Sequence, residues 1–214
     1  MKEVIIGKQV WMEENLNVDK FRNGDLIPEA NTMEEWEKAG ENKQPAWCYY
    51  NDNPDNGDRY GKLYNWFAVN DPRGLAPEGW KIPSDEDWSR LTDFLGGDAG
   101  TKMKSTSGWE DGGNGNDESG FWGMPGGCRF DFGPCNHVYY YGFWWSSTEA
   151  DTSKAWSRIL SYDDGNVDRD GDSDFLKGDP GRGDKTNGYS VRCFKSEHRI
   201  WLDLCNEEIQ KRDK

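Results

Sequence analysis

Gly142-Phe143-Trp144-Trp145-Ser146-Ser147 and Ala155-Trp156-Ser157-Arg158-Ile159-Leu160-Ser161-Tyr162, separated by a polar turn-forming stretch, decide the fold. Both runs are rich in aromatic and aliphatic residues and read as neighbouring strands. Upstream, Ser84-Asp85-Glu86-Asp87 sets a hydroxyl N-cap and three acids where a helix dipole favours them. Trp88, Leu91 and Leu95 then share one face, and Gly96-Gly97 ends the helix. Asn31-Thr32-Met33-Glu34-Glu35-Trp36 marks a second, short helix with Thr32 and Glu35 at capping-box spacing and Gly40 as its stop. At the start, Val4-Ile5-Ile6-Gly7-Lys8-Gln9-Val10-Trp11-Met12 reads as a hairpin turning at Gly7-Lys8, and Tyr189-Ser190-Val191-Arg192-Cys193-Phe194 alternates as a closing strand. Two early helices followed by β-structure, with no βαβ alternation and no internal repeat, give an α+β class.

Composition bounds what such a domain can do. The 214 residues carry 40 acidic and 26 basic side chains, a net charge of −14, on only 34% hydrophobic residues. That balance alone warns of disorder, but twelve Trp and nine Tyr overturn the warning, because each buries a large apolar area and keeps one polar handle. The charge excludes nucleic acid and anionic membranes as expected ligands and favours basic partners. No apolar stretch is long enough to span a bilayer, and Met1-Lys2-Glu3-Val4 opens without a leader pattern. A soluble chain is expected, with no membrane insertion and its compartment left open.

Catalytic and metal chemistry find little footing. The two histidines fall in a tyrosine-rich loop (His137) and in the charged stretch after residue 195 (His198), neither beside a nucleophile. Gly112-Gly113-Asn114-Gly115-Asn116 lacks the Lys-Ser/Thr ending of a phosphate loop and reads as turn. Asp168-Arg169-Asp170-Gly171-Asp172-Ser173-Asp174 alternates acids as a calcium loop does, but Ser173 and Asp179 stand where Gly and Glu are required. No cofactor is expected, calcium being the one weak candidate. Asn51 to Asp58 reads as Asx-turns. Cys48, Cys128, Cys135, Cys193 and Cys205 are too few for a disulfide scaffold and match no zinc spacing. Cys128 and Cys135 could close a short loop in an oxidising compartment; free thiols are the expected state for most of the five.

Six blocks carry a family resemblance: Trp11-Met12-Glu13-Glu14-Asn15-Leu16-Asn17, Tyr60-Gly61-Lys62-Leu63-Tyr64-Asn65-Trp66, Pro77-Glu78-Gly79-Trp80-Lys81-Ile82-Pro83-Ser84, Gly100-Thr101-Lys102-Met103-Lys104-Ser105, Trp144-Trp145-Ser146-Ser147-Thr148-Glu149 and Gly188-Tyr189-Ser190-Val191-Arg192-Cys193. In this order the chain resembles the Fibrobacter succinogenes major paralogous domain. The resemblance implies a C-type lectin-like fold over residues 1–195: paired terminal strands, two short helices packed on small antiparallel sheets, and a loop-rich ligand-binding lobe. Residues 196–214 lie beyond the family's usual end and read as an appended helical tail, with Ile200, Trp201, Leu204 and Cys205 at helical spacing. Many members carry Cys before the Pro-Glu-Gly-Trp block where this chain has Ala76, which leaves Cys193 without that partner.

The chain is also similar to the variable proteins of diversity-generating retroelements, whose adenine-directed mutagenesis turns Asn codons into Tyr, Asp, Ser, Gly, His, Ile or Phe codons. Residues 136 to 174 hold seven aspartates and four tyrosines between fixed anchors, within a variable segment expected over about 136–187. The resemblance implies binding of a macromolecular, protein-type ligand through outward strand and loop positions: Asn136, His137, Tyr139, Tyr141, Phe143, Asp151, Ser153, Ser157, Ile159, Ser161, Asp163, Asp164, Asp168, Asp170, Asp172 and Asp174. Tyr and Asp suit such a surface as they suit antibody loops. Phe143 and Ile159 are the informative pair, since apolar residues there read equally as core or as contacts. Trp66, Trp80, Trp88, Trp145 and Trp156 are the expected core. Three rivals stand beside this reading. A calcium-dependent sugar lectin is weakened by having only Gln44-Pro45-Ala46 for its motif. A formylglycine-generating enzyme would require a reactive cysteine pair, which the sequence does not assign. The third is a fixed-specificity structural or adhesion module of an envelope or virus particle.

Overall fold

A computed structural model describes residues 2–131, 133–169 and 183–195. The tail from 196, together with His198 and Cys205, and the expected contacts Asp170, Asp172 and Asp174 lie outside the described residues. The two ends of the domain meet in one antiparallel sheet. Strand β1 (Glu3–Ile6) pairs with β2 (Gln9–Met12), and β2 with β10 (Phe194–Lys195). The hairpin register Ile6↔Gln9 leaves Gly7 and Lys8 as its two-residue turn, with Gly7 at φ 59°, the left-handed backbone such turns need.

The expected helices form with the caps read from sequence. In α1 (Met33–Glu41) the Thr32 hydroxyl accepts from the Glu35 N–H and the Glu35 carboxylate accepts from the Thr32 N–H. Gly40 is not the stop: it lies inside the helix, where a Cβ would come within 2.9 Å of the Thr186 side chain. Its job is close packing, and Asn42 forms the cap. Strand β3 (Trp47–Cys48) follows, then α2 (Gly57–Tyr60), β4 (Leu63–Tyr64) paired with β3, and α3 (Trp66–Val69). Helix α4 (Asp85–Leu95) has Ser84 and Asp87 in a capping box and ends at Gly96 with φ 70°. Trp88 and Leu91 are fully buried beneath it. Helix α5 (Ala99–Met103) precedes the small ladder of β5 (Cys128–Arg129) and β6 (Cys135–Asn136).

Strands β7 (Tyr141–Glu149), β8 (Ala155–Ser161) and β9 (Asp168–Arg169) make the central sheet. Both of its faces are covered. Tyr141, Phe143, Trp145, Ala155 and Ile159 join one apolar cluster, with Trp66, Trp80 and Tyr189. Trp144 and Leu160 point the other way into a second cluster with Trp11, Trp88 and Phe121. A sheet buried on both sides keeps its two-residue period without gaining an outward face. One expected core residue is displaced by this arrangement: Trp156 is only half-buried and stacks beneath the Arg169 guanidinium at 3.4 Å.

The closing segment differs from the expected strand. Only Phe194 and Lys195 form a ladder; Gly188, Tyr189 and Ser190 instead make single bridges to Arg129, Tyr64 and Trp144. One short segment thus ties three elements together. Four buried indoles drive this packing by donating to backbone carbonyls: Trp36 to Thr186, Trp66 to Ser146, Trp88 to Trp145 and Trp145 to Tyr64. The polar handle of each Trp is therefore satisfied inside the core, which is what lets aromatics replace scarce aliphatics. Arg192 serves the same end. Its buried guanidinium donates to the Asn15 side chain at 2.7 Å, to the Met12 and Glu13 carbonyls at 3.2 and 2.8 Å, and to the Phe121 carbonyl. Burial pulls its pKa down to about 9.

Candidate functional site

The end of the central sheet where β7 begins and β8 ends carries the exposed aromatic surface. The turn 138–140 breaks the strand alternation, so Tyr139 and Tyr140 both face outward, 42% and 39% exposed. Tyr140 packs edge-on against Tyr162 at 5.2 Å, and Asp163 lies exposed beside them. The Asp163 charge holds the Tyr162 hydroxyl above its ordinary pKa. The 161–164 loop is fixed from below by Lys104, whose buried ammonium donates to the Ser161 and Asp164 carbonyls at 2.9 Å each. Burial lowers the Lys104 pKa, opposed by the charges of Asp164 and Asp163. Gly113 belongs to the same support: a Cβ there would sit 2.2 Å from the Tyr162 carbonyl.

Tyr139 holds its side chain from a left-handed backbone, φ 73°, and His137 does so at φ 68°. The Tyr139 N–H donates to the Pro125 carbonyl and its own carbonyl accepts from the Glu110 N–H, so the conformation is pinned from both sides. Arg59 links this patch to a neighbouring groove, its guanidinium 6.0 Å from the Tyr139 ring and 5.1 Å from the Tyr60 ring. That groove is lined by Glu13, Glu14, Asp58, Arg59, Trp122 and Met124, with Asn15 and Arg192 behind. Trp122 is 40% exposed and also has a positive φ, 52°. The surface therefore combines flat aromatic area with carboxylates. Among the described residues, no three His, Cys, Asp or Glu side chains converge as a metal cage.

The expected contact residues divide. Asn136, Tyr139, Asp151, Ser153 and Asp163 are exposed, and His137, Asp164 and Asp168 are half-buried. Tyr141, Phe143, Ser157, Ile159 and Ser161 are buried. The second apolar layer over the sheet corrects the outward reading of Tyr141, Ser157 and Ser161 and decides Phe143 and Ile159, which read equally as core or contact, as core. Burial pushes the Tyr141 hydroxyl up to about 12. Nor are the exposed residues one patch. Asp151 and Ser153 sit in the β7–β8 turn, about 25 Å from Tyr139 at the ordinary strand rise. There the Asp151 carboxylate accepts from the Ser153 and Lys154 N–H groups at 2.7 and 2.8 Å, which hold its pKa down. It is a turn-former. Asp164 likewise caps its own turn through Asn166. His137 packs its ring on Phe130 and Tyr141.

Sequence reasoning missed Tyr140, Tyr162, Trp122 and Arg59. A strict two-residue period skips Tyr140, and only the turn makes it a neighbour of Tyr139 on one surface. The β5–β6 register aligns Cys128 with Asn136 and Arg129 with Cys135, so Cys128 and Cys135 face opposite sides of the ladder and do not close a short disulfide loop. Cys135 instead packs against the cluster that contains Cys48.

Comparison with curated proteins and with solved structures finds no match to this chain. The family model of the Fibrobacter succinogenes major domain matches residues 4–195, nearly the whole described structure and all six sequence blocks. The chain belongs to the Fibrobacter succinogenes major domain family.

Proposed function

We propose that this protein is a ligand-binding module of C-type lectin-like fold that recognises a protein partner, of receptor or adhesion type, through a diversified surface, as the variable protein of a diversity-generating retroelement. The observation that carries this reading is Tyr139, a bulky exposed side chain held at φ 73°. The left-handed region is costly for such a residue and favours Gly or Asn. Strain of this kind persists where surrounding structure imposes it and function uses it. A Tyr at a backbone position suited to Asn is also what adenine-directed mutation of an Asn codon produces, and His137 next to it repeats the pattern. The pinned backbone, the Lys104 anchor and the aromatic core beneath supply a scaffold that does not depend on which side chain is displayed.

The contact set supported by exposure is Asn136, His137, Tyr139, Tyr140, Tyr162 and Asp163, with the acidic groove favouring a basic partner. Sequencing this gene and its flanking DNA across a host population tests the reading. Differences concentrated at codons 136, 137, 139 and 163, with a near-identical repeat bearing adenines there, are expected. An invariant segment without a repeat would overturn diversification and leave a fixed-specificity module.

A further inference from the structure

Trp36, Trp47, Trp66, Trp80, Trp109 and Trp156 each lie under a lysine or arginine of this chain. Trp122 differs. It is 40% exposed, and among the described residues no cation or ring lies over its indole and no acceptor meets its indole N–H. It shares its groove with Glu13, Glu14 and Asp58 and with the Met124 side chain. None of these three carboxylates forms an ion pair with a described residue. Arg59, in the same lining, is turned away from them onto the Tyr60 and Tyr139 rings, and Lys2 stands exposed at the outer mouth.

The walls of the groove are tied together from behind. Buried Arg192 donates to the Glu13 carbonyl at 2.8 Å and to the Phe121 carbonyl, so one guanidinium holds the chain at 13–14 beside the chain at 121–122. Asp117 Oδ1 accepts from the Trp122 N–H at 2.7 Å. Asn15 and Asn17 donate to the Tyr60 and Gly57 carbonyls at 2.8 and 3.2 Å, which brings Asp58 alongside. What a ring beside a carboxylate holds is seen twice elsewhere in the molecule. Arg169 stacks on Trp156 at 3.4 Å while it donates to both Asp85 oxygens at 3.0 and 2.9 Å. Arg73 lies over Phe21 at 4.1 Å and donates to both Asp71 oxygens at 2.9 Å. A planar guanidinium satisfies both surfaces at once, its face on the ring and its N–H edge on the carboxylate. We propose, on the reading of this protein as a protein-binding module, that the groove docks an arginine side chain of the partner, its guanidinium stacked on Trp122 and paired with the carboxylates of Glu13 and Glu14. Arginine is among the side chains that most often dominate an interface, and this anchor lies outside residues 136–187, so displayed side chains can change around a constant contact.

The full-length chain, isotope-labelled at its indole nitrogens and with each indole N–H resonance assigned through the backbone, is titrated at physiological salt. The probes are the capped peptide acetyl-Gly-Arg-Gly-amide and the same peptide with citrulline, the uncharged isostere of arginine. A saturable shift of the Trp122 indole resonance with the arginine peptide is expected, and none with citrulline. Glu13→Gln combined with Glu14→Gln, at a half-buried and an exposed position, should weaken the arginine peptide about fivefold, the loss of an ion pair at the surface. A Trp122 resonance that stays still, equal shifts with the two peptides, or an undiminished affinity in a double variant that keeps the wild-type indole pattern overturns the proposal. The wild-type titration decides even if the variant fails to fold. A silent Trp122 leaves diversification to be decided by the gene sequences alone, whereas a responding Trp122 in an invariant gene gives a fixed-specificity module with an arginine site.

Discussion

Residues 141–146 and 155–161 and the loops that flank the sheet end, 136–140 and 162–164, draw on the same tyrosines, serines and aromatics, yet the first set is interior, Trp156 apart, and the second is surface. The difference is made by what covers each. Helix α4 covers one face of β7–β8, α3 and the Tyr189 ring cover the other, and the Tyr139 and Tyr140 rings of the turn at 138–140 stay exposed. A polar-looking strand can therefore be core, and an aromatic-rich turn can be the displayed face. The contrast is broken most directly at Phe143, whose ring stacks on Tyr189 with centroids 5.0 Å apart. Phe143→Ala should cost about 3–5 kcal/mol in urea unfolding, as truncation of a buried aromatic does. A cost below about 1 kcal/mol would mean that this face is not core and that the five buried candidates belong with the contacts after all.

A second prediction sharpens the covered side. Asp85, at the start of α4, accepts from Arg158 at 2.7 Å and from Arg169 at 2.9 and 3.0 Å, tying the helix to β8 and β9. Burial raises its pKa, but the two guanidinium partners outweigh it and hold the carboxyl below the ordinary value. A depressed folded pKa gives stability that is complete above the unfolded carboxyl value of about 3.9 and is lost as pH falls through the lower folded value. Asp85→Asn should cost about 2 kcal/mol near neutrality and flatten that acid limb in a plot of the urea midpoint against pH. An unchanged acid limb would show that Asp85 does not couple α4 to the sheet.

Much of this architecture was legible in sequence, for physical reasons that stay local. Thr32 with Glu35 and Ser84 with Asp87 are caps whose bonds span three residues, and Gly7 is a turn whose φ belongs to one residue. The family blocks were legible too, and Arg192 shows why they matter: its partners, Met12, Glu13 and Asn15, sit in the first block. What was not legible depends on a second layer. Ser157 and Ser161 read as outward, and Ile159 as either, because a sheet's period is visible in sequence and the number of its covered faces is not. Trp156 read as core because of its type, and the cation above it comes from β9. Cys135 comes against the cluster that holds Cys48 only through the packing of two separate small ladders.

The smallest expected effect is the most discriminating for the surface. Tyr139→Gly removes an exposed ring and relieves the left-handed strain of its backbone, about 1 kcal/mol. It also gives the unfolded chain more freedom, a cost of about the same size. The two offset, so folding stability should change by no more than about 0.5 kcal/mol. The backbone bonds of residue 139 to Pro125 and Glu110 do not involve its side chain, and they survive the substitution. Urea unfolding measured beside Phe143→Ala then reads the contrast in one experiment: a large loss two residues into the strand and almost none in the turn before it. A Tyr139→Gly chain that lost several kcal/mol would place this ring among the structural contacts, and the displayed surface would shrink to Tyr140, Tyr162 and Asp163. A neutral Tyr139→Gly leaves position 139 free to vary, which is the physical requirement a diversified site has to meet.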